Sequence, residues 1–189
     1  TEAMTLGTRI VVMKDGIVQQ ADTPDQIYRH PTNKFVAGFI GAPSMNFVEA
    51  MVTEKNGAVY LEADAGVSLR AEGENEMVLR RNYLGKMVIL GLRPEDLQEK
   101  ATAEAHGICS EENRIKAFVE LREMIGAEAY LHMHAGRNQL TARVPSEAPV
   151  TVKDYITLYA DMEKAQIFDP FTEENILCPP AAKEERATA

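Results

Sequence analysis

His132 and His134 stand two residues apart in the run Tyr130-Leu131-His132-Met133-His134. In a strand, residues two apart share one face, so both imidazoles could serve one metal ion. A third ligand is not identifiable near them, and the plainer reading is two solvent-facing residues alternating with apolar Leu131 and Met133. Glu173-Glu174 and Glu184-Glu185 are neighbouring carboxylates of the kind used for acid-base catalysis. Such chemistry needs fixed geometry, which adjacent residues near a fraying end do not have, so they read as solvated surface. Cys109 is followed by Glu111 and Glu112, whose charge disfavours a thiolate, and Cys178 is distant from it, so free thiols are expected. Arg93, at a strand end before Pro94, Glu95 and Asp96, is placed either to meet a carboxylate or anion, or to brace a turn. Phosphate-cradling glycine loops, a G-x-S-x-G elbow and an H-E-x-x-H helix do not occur.

The elements that would position these residues follow from composition and pattern. The 189 residues carry 20 Lys+Arg against 29 Asp+Glu, a formal charge of −9, which argues against nucleic acid as a partner. With 45% hydrophobic residues the chain is long enough for one or two domains. No apolar run reaches the ~18 residues of a membrane span, and a soluble, cytoplasmic protein is expected. The start at Thr1, without Met, suggests a piece of a longer protein.

Residues 9–22 are two β-prone runs around Asp15-Gly16, which predicts a hairpin. Ile10-Val11-Val12-Met13 is apolar without alternation and predicts a strand buried on both faces. Deprived of neighbours, that hairpin is expected to be mobile or to pair with another chain. Thr23-Pro24-Asp25 starts a short helix ending before Pro31, and Thr32 or Asn33 caps a second over 34–40. There Phe35, Phe39 and Ile40 form the expected apolar stripe.

From Met45 the pattern becomes short alternating runs: 47–53, a Lys55-Asn56-Gly57 turn, 58–64, 67–71, 77–80, 86–93, then a looped polar stretch at 98–113, then 115–124, 129–134, 140–145, 155–159 and 166–168. Many short strands predict a barrel or sandwich, because closure removes exposed edges. The reading divides the chain into 1–43, a mainly β domain over 44–178 and a disordered tail over 179–189.

Glu2-Ala3-Met4-Thr5-Leu6-Gly7, Arg9 to Met13 and Gly16 resemble the stretch that follows the switch histidine in ATP-binding subunits of ABC importers. Tyr28, Pro31, F-V-A-G-F-I-G-A-P at 35–43 and Met45-Asn46-Phe47 are similar to the branch serving maltose, glycerol-3-phosphate and multiple sugars. G-L-R-P-E-D-L at 91–97 resembles that branch's regulatory-domain motif. The resemblance implies that 1–43 is the end of a nucleotide-binding domain and that an OB-like, TOBE/MOP-like regulatory domain follows. The elements that bind ATP and Mg in the family precede this stretch, so neither catalysis nor a cofactor is implied for these residues, only for the longer parent.

The resemblance further implies a homodimer, peripheral at the inner face of the membrane, whose regulatory domains hold two ATPase subunits together. It implies membrane-spanning permease subunits as partners, reached through the nucleotide domain, and a cytosolic regulator such as a phosphotransferase-system protein. The positions matching regulator-sensitive sites are Lys34, Phe47 and Gly85; Met45, Asn46, Arg93 and Glu95 are structural or interface candidates. Lys34 stands where Arg is usual and lacks its bidentate fork. Phe47 reads equally as a core anchor, and Gly85 as a turn with positive φ. Two alternatives stand beside this reading. Gly136-Arg137-Asn138-Gln139-Leu140 is similar to a segment of MOP-like molybdate-binding proteins, and a backbone-rich turn beside Arg137 could hold an oxyanion. The parent could instead import a polyamine or ferric iron, though the M-N-F and G-L-R-P-E elements tilt the reading toward sugars.

Overall fold

The computed structural model describes residues 7–178. The resembling stretch at 2–6, the carboxylates Glu184-Glu185 and the expected tail over 179–189 lie outside the described residues. The first hairpin forms as predicted: β1 (Ile10–Lys14) and β2 (Ile17–Asp22) pair antiparallel around Asp15 and Gly16, with φ of 50° and 79°. Positive φ at both central residues is what a type I′ turn demands, and an Asx-Gly pair supplies it cheaply. The hairpin strand is not buried on both faces, however. Ile10 and Val12 are buried, while Val11 and Met13 are half exposed. A two-stranded sheet has only one packed face, and period-two geometry sends the odd residues outward.

Helix α1 (Pro24–Arg29) begins at Thr23, whose hydroxyl accepts from the Gln26 amide, with Pro24 in the first turn. Helix α2 (Lys34–Phe39) is capped by Asn33, whose Oδ1 accepts from the Val36 amide at 2.9 Å. Ile27, Val36 and Ile40 close over Ile10 and Val12 in a small core. The expected α2 stripe is thus corrected: Val36 and Ala37 are fully buried, whereas Phe39 is exposed and stacks on Phe35.

The remainder is mainly β, two five-stranded antiparallel sheets sharing one core. The first, in the order β12-β6-β3-β4-β5, uses β3 (Asn46–Lys55), β4 (Ala58–Glu62), β5 (Ser68–Arg70), β6 (Met87–Leu92) and β12 (Gln166–Phe168). The second, β10-β9-β8-β11-β7, uses β7 (Leu97–Gln98), β8 (Arg114–Ile125), β9 (Glu128–Ala135), β10 (Asn138–Pro145) and β11 (Tyr155–Ala160). Its two edge strands, β10 and β7, lie in contact, so the sheet curls into a nearly closed barrel. Leu61, Leu69, Leu90 and Leu92 from the first sheet meet Leu97, Leu131 and Leu158 from the second in a continuous hydrophobic core.

Two sequence expectations fail here. Met77–Arg80 is not a strand but part of α3 (Gly73–Asn82), where Asn75 and Leu79 form the buried face four residues apart and Glu76 pairs with Arg80 at 2.7 Å. Four apolar-leaning residues read as a strand only if the helix-forming Glu and Arg neighbours are discounted. The polar stretch at 98–113 likewise holds α4 (Lys100–Ala105), capped by the Glu99 carboxylate, which accepts from the Ala101 and Thr102 amides. Among the described residues no helix is long and apolar enough to cross a membrane.

Candidate functional site

The motif Gly91-Leu92-Arg93-Pro94-Glu95-Asp96-Leu97 is the crossover between the sheets. Strand β6 ends at Leu92, a 3-10 turn spans Pro94–Asp96, and β7 starts at Leu97 in the other sheet. Proline fixes the turn's first φ. Arg93 is 5% exposed and reaches away from its own turn toward the N-terminal segment. It donates through Nη1 to the Ile40 carbonyl at 2.9 Å and through Nη2 to the Tyr28 carbonyl at 2.6 Å, with the guanidinium 3.7 Å from the Tyr28 ring centroid. These carbonyls belong to the ends of α2 and α1, where backbone oxygens lack intrahelical partners. One side chain therefore clamps both helices to the sheet crossover. Among the described residues no carboxylate pairs with it, and the side chain braces across elements rather than within its own turn. Burial pushes the guanidinium down to about 10, which leaves it charged at neutral pH.

Close approach at the clamp requires Gly41. Its φ is 121°, and a Cβ there would stand 3.2 Å from Arg93 Nη1. Three residues after Arg93, Asp96 is also 5% exposed, and burial lifts its carboxyl to about 6 against the opposing pull of Lys164 at 3.5 Å. Lys164 is shared with Asp161 at 2.8 Å. Glu95 is only partly buried and makes no hydrogen bond or ion pair among the described residues.

Asn46 is buried and joins the sheets. Its Nδ2 donates to the Leu92 carbonyl at 3.0 Å and the Thr141 carbonyl at 2.9 Å, and its Oδ1 accepts from the Thr141 amide at 2.7 Å. The side-chain amide thus pairs with β10 as a neighbouring strand's backbone would. Met45 packs with Ala37, Ile89 and Phe168, beneath Gly91, where a Cβ would lie 2.5 Å from its sulfur. Phe47 meets Phe168 edge-on at 5.9 Å and lies under the Lys34 ammonium at 5.4 Å; Lys34 also faces Glu173 at 3.7 Å. Lys34 and Phe47 therefore form one surface. Gly85 is apart from them. It is exposed, has a φ of 73° as expected, and donates its amide to the Val52 carbonyl, five residues along β3 from Phe47, roughly 17 Å.

Residues that sequence reasoning missed complete the junction. Asn175, buried, donates through Nδ2 to the Pro31 carbonyl at 2.9 Å and through its backbone amide to the Thr32 carbonyl at 2.9 Å. Gln166 donates to the Arg29 carbonyl at 3.0 Å, and the Lys34 amide donates to the Glu173 carbonyl at 2.8 Å. Glu173 is thus a docking residue and not plain solvated surface. Isolated side-chain amides carry no periodicity, and only proximity across 130 or more residues reveals their role.

The remaining candidates are placed individually. His132 and His134 share a face of β9, as spacing required, and each meets a β8 carboxylate at 3.3 Å, Glu123 and Glu120 respectively. Cys109 is exposed and Cys178 partly buried, both as free thiols. The turn at Arg137 is filled from within the chain: Asp64 Oδ2 accepts from the Arg137 amide at 2.9 Å and its Nε at 3.3 Å. Those bonds, the backbone ones first, hold the Asp64 carboxyl below its usual range.

The MalK OB fold domain family matches residues 41–97 and the TOBE domain family residues 90–168, the two overlapping on the Arg93 crossover. The oligosaccharides import ATP-binding protein MsmX of Bacillus subtilis is 36% identical over 93% of this chain and 46% of its own length. The trehalose/maltose import ATP-binding protein MalK of Thermococcus litoralis is 38% identical over 90% of this chain and 45% of its own. The chain thus spans about half the length of these relatives. A structure of the cytoplasmic molybdate-binding protein ModG, with molybdate bound, superposes with a TM-score of 0.51 over 66% of this chain and 96% of that one. At 15% identity that is a likeness of fold alone. With a MalK OB fold domain and a TOBE domain joined through the Arg93 crossover, the chain is similar over 90–93% of its length to ATP-binding proteins named for sugar import.

Proposed function

We propose that this chain is the regulatory and dimerisation region of the ATP-binding subunit of an ABC importer, joined to the end of the nucleotide-binding domain over 1–43. Sugars are the favoured cargo, since the named relatives import oligosaccharides and trehalose or maltose. The region acts at the cytoplasmic face of the membrane, as a homodimer, with permease subunits reached through the nucleotide domain. The observation that supports this most is the Arg93 clamp. A coupling region must move with the ATPase rather than hang from a loose linker, and the clamp, Gln166 and Asn175 tie the segment 28–34 and Ile40 to the β sheets at separate points. Rigid joining lets a rotation in one part appear in the other.

The surface bearing Lys34 and Phe47, with Gly85 about 17 Å away, fits a protein regulator such as a phosphotransferase-system protein, since a standard interface spans about 800 Å² per partner. The test uses the longer ATP-binding protein assembled with its permease in vesicles. Arg93→Met should leave ATP hydrolysis largely in place and lower solute uptake per ATP; equal coupling in the variant and the parent protein contradicts the proposal.

A further inference from the structure

A cleft of about 830 Å³ opens between the N-terminal segment and the β sheets, walled on one side by Tyr28 to Thr32 and on the other by the start of α3 and the turn at 162–164. Its volume lies within the range of small-molecule sites. The charges in its wall do not balance. Of its cations, Arg29 pairs with Asp25 and Lys164 with Asp96 and Asp161, while Arg93, held by two neutral carbonyls, keeps its charge, so the acids remain in excess. Glu72, Glu74, Glu95 and Glu163 also line it, and none of their carboxylates has a hydrogen bond or an ion pair within 4 Å among the described residues. Glu72 occupies the cap position of α3, yet its side chain makes no capping bond. Burial, and after it the nearby Glu163 and Asp161, push its carboxyl up.

A second observation is independent of these acids. Asn75 lies in the same wall and is 5% exposed; its Nδ2 donates to the Ala165 carbonyl at 2.9 Å, while its Oδ1 has no hydrogen-bond partner. A buried amide oxygen without a donor costs about 1–3 kcal/mol, so such a group in a cleft wall marks a place for a ligand N–H or O–H. Unneutralised carboxylates and an orphaned acceptor call for the same chemistry, a donor carrying positive charge.

We propose that this cleft binds a small organic polyamine, with one ammonium between Glu72 and Glu163 beside the Asn75 amide, and a second toward Glu95. The site would bridge the N-terminal segment and the regulatory sheets, so its occupancy would stiffen the junction that the Arg93 clamp defines. The inference stands apart from the importer's cargo and from the dimer.

Titration calorimetry of the whole chain with spermidine at fixed ionic strength tests it, with maltose as the uncharged control. Saturable binding near one site per chain is expected, with no heat from maltose. The paired change Glu72→Gln with Glu163→Gln should weaken binding roughly tenfold or more, because two partly shielded ion pairs are lost. Glu104→Gln with Glu147→Gln removes the same charge elsewhere and should change affinity less than about twofold. The carboxylates removed in the first pair hold no partner, so that variant should melt no lower than the parent. Absence of saturation, equal loss in both paired variants, or tighter binding of a lysine-rich peptide than of spermidine would each overturn the proposal.

Discussion

Replacing Arg93 by Met removes the clamp while keeping an unbranched side chain of similar length. The loss comprises two charge-assisted hydrogen bonds to helix-end carbonyls, each worth about 1.5–3 kcal/mol, and stacking over Tyr28 worth about 2 kcal/mol when desolvated. Against it stands relief from burying a charge: the fall of the guanidinium from 12.5 to about 10 corresponds to about 3 kcal/mol. A net cost of about 2–5 kcal/mol remains, which raises the population of states with the segment undocked about 30- to 4,000-fold. Because the clamp links two parts instead of filling the core, the cost should be local. Amide exchange with mass spectrometry reads this directly. Protection across 10–40 should fall by that factor, while β3, β6 and β9 retain theirs. Unchanged protection over 10–40, or an equal loss throughout both sheets, would refute the reasoning.

Asn46→Leu leaves the Thr141 amide and carbonyl and the Leu92 carbonyl without their partner, and a loss of about 2–4 kcal/mol is expected in urea unfolding. Gly91→Ala drives a methyl toward the Met45 sulfur and the Phe168 ring, at 2.5 and 3.0 Å, and should cost about 1–3 kcal/mol by overpacking; adding Met45→Ala should restore part of the melting temperature. Asp96 binds its proton more tightly folded, at about 6, than its ordinary 3.8, so its contribution to stability is greatest below 3.8 and declines as pH rises through 6. The decline amounts to about 3 kcal/mol at most, and Asp96→Asn should flatten the stability profile between pH 4 and 7 and stabilise the protein at pH 7. A profile of unchanged slope in that variant would show that another group carries the effect.

What was legible in the sequence was what nearest neighbours decide. Asp15-Gly16 and Asn56-Gly57 specify their turns through backbone φ, and Thr23-Pro24 and Asn33 specify helix starts through orphaned amides, so these elements form where expected. Helix α3 is hidden in the sequence because Met77 to Arg80 alone shows no helical period; its buried face runs from Asn75, a polar residue outside the apolar pattern. The G-L-R-P-E-D-L motif marked the right place, but its partners, the carbonyls of Tyr28 and Ile40, lie 65 and 53 residues away. Sequence separation likewise hid the division of the β region into two sheets, which Asn46 joins by reaching Thr141, 95 residues away. In the turn at Arg137, which the sequence offers to an oxyanion, the carboxylate comes from Asp64, remote in sequence.

The central claim, that these β sheets carry the subunit contact, is tested most directly by light scattering of the purified chain across concentration, repeated with residues 1–43 removed. The account predicts a mass that doubles with concentration in both forms. A monomer at every concentration would contradict it, as would a dimer only when the first hairpin is present, since association would then rest on the half-exposed Val11 and Met13 face and not on the β sheets.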